Sequence, residues 1–136
     1  LTELFLLDAD ALGPFASRLR RRSRFFGEAL QLVNILKDAN ADATEGRVYF
    51  PVGIDRSRIF ALARRDLAVA ANYVGTLQLA GAPDGFVAFT GSPAVLAHAA
   101  LERIESTSPG TKLTRAEVGT LMERMFENLA AGLPLL

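Results

Sequence analysis

An all-α fold is predicted by three features of this 136-residue sequence. Half of the chain is apolar, with Ala and Leu dominant and few β-branched residues, a composition of good helix formers. Long segments repeat apolar side chains at intervals of three and four. Gly, Pro and small polar residues gather mostly between those segments. The length suits one domain, taken as residues 1–136.

The elements follow in order. Residues 1–7, LTELFLL, already read as the body of a helix with no N-cap before them. The natural protein is therefore expected to extend N-terminally, with this chain as its C-terminal part. Residues 8–14 close that helix with Asp8, Asp10, Gly13 and Pro14. A long helix is predicted over 15–43, basic at its start (Arg18, Arg20, Arg21, Arg22, Arg24) and core-like in its middle, FFGEALQLVNIL. Residues 44–53 break the period at Gly46, Pro51 and Gly53. A third helix is predicted over 55–80, capped by Asp55 or Ser57 and ended by 81–83. A fourth spans 84–105 with Gly91 and Pro93 inside it; proline lacks the N–H, so this helix should kink or divide. After a loop at 106–114, a last helix runs over 114–131, opened by a Thr114–Glu117 capping box.

Charge narrows the function classes. Fifteen basic residues balance fifteen acidic ones, so nucleic acid is not expected as a partner. Cysteine is absent, which excludes disulfides and thiolate chemistry and fits a reducing cytoplasm. No apolar run reaches the roughly 18 residues that span a bilayer.

The segment QLVNILKDANADATEGRVYFP, residues 31–51, carries the chemistry. Gln31, Asn34, Asp38 and Asp42 stand at spacings of three, four and four, which places them on one stripe of a helix. Leu30, Leu32, Val33, Ile35 and Leu36 surround them, so the helix is expected to be largely buried. Carboxylates on a buried face need compensation, and a cation supplies it. Oxygen donors favour a hard ion such as Mg²⁺, with coordination positions left for a diphosphate. Its role would be to neutralise charge as the diphosphate departs. An EF-hand opens alike with Asp38, Asn40 and Asp42, but fails at Ala43 and Tyr49, where Gly and Glu are required. A solvated helix end is the plain alternative; Gln31 and Asn34 weigh against it by extending the stripe into the apolar part.

ALQLVNILKDANADATEGRVYFP resembles the second aspartate-rich region of the squalene/phytoene synthase family, which reads close to QLTNILRDVxEDxxxGRxYLP. SPAVLAHAALERIE and KLTRAEV resemble later segments, so the likeness spans roughly residues 26–118. It implies an isoprenoid-synthase-type helical bundle, of which this chain would be the C-terminal half. Two prenyl diphosphates are joined head to head there, through a cyclopropyl intermediate, between two aspartate-rich helices holding Mg²⁺. On this likeness Asn34, Asp38 and Asp42 bind metal and diphosphate, with Asp38 and Asp42 as catalytic carboxylates. Gln31 lines the cavity, and Lys37, Arg47 and Tyr49 steady diphosphate. A fork donor and a phenol suit that task chemically.

Three departures stand out. Lys37 replaces the family's Arg, keeping charge but losing bidentate geometry. Ala41 replaces an acidic residue. The family's first aspartate-rich motif is absent, since Asp8 and Asp10 lie two apart in a turn; it is expected in a missing N-terminal half.

Other residues have plainer readings. The arginine cluster is read first as a solvated helix start, with diphosphate or anionic headgroups as the functional alternative; five cations near a helix N-terminus oppose the dipole. Phe25, Phe26, Phe86 and Phe89 are read as core before prenyl-tunnel walls. Tyr73 is read as core, and His98 as a satisfied core or rim side chain. Arg64, Arg65 and Asp66 are read as a solvated face.

The function expected is an Mg²⁺-dependent prenyltransferase condensing two prenyl diphosphates, farnesyl favoured over geranylgeranyl. NADPH is compatible with this and marked by no motif. A cytoplasmic enzyme with peripheral membrane contact is the expected setting. The alternative is a non-catalytic helical domain that binds an isoprenoid or a protein.

Overall fold

The computed structural model describes residues 1–44, 55–106 and 112–136, with backbone alone for 39–44. Helix α1 (Thr2–Asp8) leads through a 3-10 turn (Asp10–Phe15) into α2 (Ala16–Thr44). Helices α3 (Arg56–Leu79), α4 (Asp84–Ser106) and α5 (Arg115–Ala130) follow. No strand occurs among the described residues. The core of the bundle is α2, α3 and α4, each packed on the other two, with α5 against α4 and α1 against α2.

The helix ends form where the side chains dictate. Asp55 caps α3, its carboxylate accepting from the Ser57 N–H at 3.0 Å. Gly81, at φ +69°, ends α3 in a Schellman turn: Ala82 N–H donates to Leu77 O and Gly81 N–H to Gln78 O, both 3.0 Å. Gly132, at φ +68°, ends α5 in the same way. Both halves of the expected capping box at Thr114 and Glu117 are present.

Of the kink or division expected at Pro93, division does not occur; α4 is one helix from Asp84 to Ser106. Hydroxyls occupy carbonyls of the preceding turn, Thr90 Oγ1 on Phe86 O at 2.9 Å and Ser92 Oγ on Ala88 O at 2.7 Å. These bonds fall on carbonyls other than Phe89 O, the one that Pro93 leaves without its donor.

Buried side chains fall into two clusters. The first gathers Phe5, Leu12, Leu19, Tyr73, Leu77, Val87, Met125 and Leu135. Phe5 stacks on Phe86 with ring centroids 4.1 Å apart. Gly91 makes room for the C-terminal tail: a Cβ there would lie 2.7 Å from Leu135 Cδ1. The second cluster joins Ala29, Val33 and Leu36 of α2 to Ala63, Leu67 and Ala70 of α3 and Ala97, Leu101 and Ile104 of α4. Phe26 packs against both clusters.

Candidate active site

α2 positions the motif. Its buried stripe at the second cluster is Ala29, Val33 and Leu36. At about 100° per residue, Gln31, Asn34 and Asp38 lie roughly half a turn round from that stripe. All three are exposed, which corrects the expectation of a buried polar face. The apolar neighbours misled: Ile35 is itself 41 % exposed, and only Val33 and Leu36 of the five turn fully inward.

Asn34 and Lys37 edge a cleft of about 420 Å³ between α2, α4 and the segment entering α5. That volume is in the range of small-molecule sites, roughly 300–1,000 Å³. The walls are Leu30, Val33, Pro93, Leu96, Ala100, Ile104 and Val118, and Lys112 supplies a second ammonium. Lys37 Nζ donates to Asn34 Oδ1 at 3.3 Å. Gln31 and Asp38 are not among the lining residues. Asp42 lies in α2, but its side chain, and Arg47 and Tyr49 entirely, lie outside the described residues.

The described donors suit a hard cation in kind. Asn34 offers an amide oxygen and Asp38 a carboxylate one turn later, leaving positions for water and phosphate. Asn34 Oδ1 must first shed the Lys37 ammonium. Among the described residues, no three or more Asp, Glu or His side chains converge to hold an ion.

The phenylalanines do not wall this cleft. Phe26 meets Tyr73 at 5.4 Å, the Arg65 guanidinium lies over Phe25 at 5.7 Å, and Phe89 is 64 % exposed. Tyr73 is core as expected; burial pushes its phenol up, against a hydrogen bond shared with Thr2 Oγ1 at 2.9 Å. His98 is half-buried, but its Nε2 is buried without a hydrogen-bond partner among the described residues, so it is not the satisfied side chain expected.

Asp66 corrects a second expectation. It is fully buried, with Oδ1 accepting from Arg65 Nε at 2.9 Å and Oδ2 unpartnered among the described residues. The signal was available, since Ala63, Asp66, Leu67 and Ala70 keep the helical period of the buried face. Lys112 was overlooked because nothing in TKLT marks it apart from an ordinary loop lysine.

The family model for squalene/phytoene synthase matches residues 1–54. The match takes in the stripe and GRVYFP, and ends before α3. SPAVLAHAALERIE and KLTRAEV lie outside it. Searches of curated proteins and of solved structures found no match. Among the described residues, no helix is long and apolar enough to cross a membrane. The match points to a family of prenyltransferase-type enzymes, and the all-α bundle is the fold expected of it. The matched stretch, residues 1–54, carries every residue of the motif from Gln31 to Tyr49 and is similar to squalene/phytoene synthase sequence.

Proposed function

We propose that the chain carries half of the active site of an Mg²⁺-dependent prenyltransferase that condenses two prenyl diphosphates head to head, farnesyl favoured over geranylgeranyl. The observation that carries this reading is the placement of Asn34 and Lys37 at the edge of an apolar cleft. The amphiphilic shape fits a ligand with an anionic head and a hydrocarbon tail. Asn34, Asp38 and Asp42 would hold the ion, which when bound offsets the charge of the departing diphosphate. Lys37, Arg47 and Tyr49 would hold phosphate oxygens, Gln31 would face substrate, and the aliphatic walls would keep water from the reacting chain.

The test is turnover of farnesyl diphosphate by the protein, with Asp38→Asn as the variant. Losing one metal-binding carboxylate should lower kcat at least about 100-fold, in line with the loss of an electrostatic group acting on the transition state. Unchanged turnover would remove Asp38 from the metal site. Prenyl-chain binding with no turnover would favour the second reading, an isoprenoid-binding domain. Ala41, in place of an acidic residue, is the feature that favours that reading.

A further inference from the structure

Four of the five arginines at the start of α2 fall into two groups by their partners. Arg20 forms a bidentate pair with Glu3, at 2.8 Å for each bond, and Arg24 pairs with Glu28 at 2.7 Å. Arg18 and Arg22, four residues apart on one face of α2, enter no ion pair among the described residues. Arg22 is held in place by neutral groups: its Nη1 donates to Thr76 Oγ1 at 2.8 Å and approaches Asn72 O at 3.4 Å. The two arginines share a surface hollow of about 380 Å³ with Leu79 and Leu136.

Two leucines that line this hollow, Leu79 and Leu136, are exposed, as is Leu133 of the same tail. Leu79 is 75 % exposed, Leu133 53 % and Leu136 41 %. The tail is fixed beside α3 by Gln78 Nε2, which donates to Leu133 O at 3.0 Å. It turns Leu135 inward against Gly91 and leaves Leu133 and Leu136 outward. Two guanidinium groups that enter no ion pair among the described residues, one of them held in place, beside outward leucines match the two layers of a bilayer interface, phosphate above and acyl chain below.

From this juxtaposition we infer that the surface formed by Arg18, Arg22, Leu79, Leu133 and Leu136 docks the protein on an anionic lipid bilayer. The guanidinium groups take headgroup phosphates and the leucines enter the acyl boundary. Positive charge complements the anionic surface, and the apolar tips distinguish a membrane from a soluble anion. The docking face is separate from the cleft edged by Asn34 and Lys37, so the inference stands whether or not the chain takes part in catalysis.

Co-sedimentation of the 136-residue chain with vesicles tests it. Vesicles of equimolar phosphatidylcholine and phosphatidylglycerol should pull the chain down, and phosphatidylcholine alone should not. Arg18→Gln should weaken binding about fivefold, the effect of one basic residue near such a surface. Arg18 touches no described side chain that its loss would orphan, so this variant reads docking rather than folding; Arg22→Gln should act alike, with its melting temperature as control. Leu79→Ser should weaken binding further, and inorganic phosphate at matched ionic strength should not compete it away. Equal binding to both vesicle types, indifference to Arg18→Gln and Leu79→Ser, or full competition by phosphate would each overturn the inference. So would concentration-dependent self-association abolished by Leu79→Ser without vesicle binding, which would make the face a contact between copies.

Discussion

Asp66 shows how a single carboxylate can be paired and still exposed to risk. Its Oδ1 depends on Arg65, whose side chain is 61 % exposed, while Asp66 itself is sealed in the helix interface. Removing Arg65 would leave a buried charge with no compensation. Arg65→Ala should therefore cost about 1–2 kcal/mol, less than for a fully buried pair because solvent screens the guanidinium. In an Asp66→Asn background the same change should cost little, since no buried charge is then stranded. Urea denaturation of the four proteins of this double-mutant cycle measures the coupling, and additive effects would mean that the pair contributes nothing. The residue scale is also where reading the sequence went furthest astray. Spacing correctly put Gln31, Asn34 and Asp38 on one stripe, but did not say which way the stripe faces. That direction is set by Ala29, Val33 and Leu36 meeting α3 and α4, a long-range fact that local periodicity does not contain.

At the scale of elements, most boundaries were legible because local chemistry decides them. Asp55 beside Ser57, Gly81 after Ala80, and Thr114 three residues before Glu117 each fix a helix end through bonds between near neighbours. Pro93 was expected to kink or divide α4; division does not follow, within a helix packed on three others, a context that local sequence does not contain. The start of α5 has a definite pH response. Hydrogen bonds from the Thr114 backbone and hydroxyl, then the Arg103 guanidinium, hold the Glu117 carboxyl below its ordinary value of 4.5. A lowered folded-state value contributes stability that is fully present above the ordinary value and lost as pH falls through the lowered one. The melting temperatures of the wild type and Glu117→Gln should therefore differ near neutrality and converge in acid below about 4.5. A difference that persists unchanged into acid would mean that the carboxylate charge has no part in the cap.

For the whole molecule, the two buried clusters are unequal in support. Around Leu19 and Tyr73 the three long helices are joined by α1, the 3-10 turn, α5 and the C-terminal tail. Around Val33 and Leu36, among the described residues, only α2, α3 and α4 contribute buried side chains. The same helix, α2, thus passes from a many-sided enclosure to a three-helix seam just where Asn34, Lys37 and Asp38 stand. Opening free energy along one continuous helix should then be graded rather than uniform. Amide hydrogens of residues 33–38 should exchange with deuterium faster than those of 19–26, by one to two orders of magnitude, the effect of about 1.4–2.8 kcal/mol of differential opening. Equal protection along both stretches would mean that α2 opens only with the whole fold. A graded helix would let the motif end loosen to admit a ligand while the far end keeps the bundle assembled.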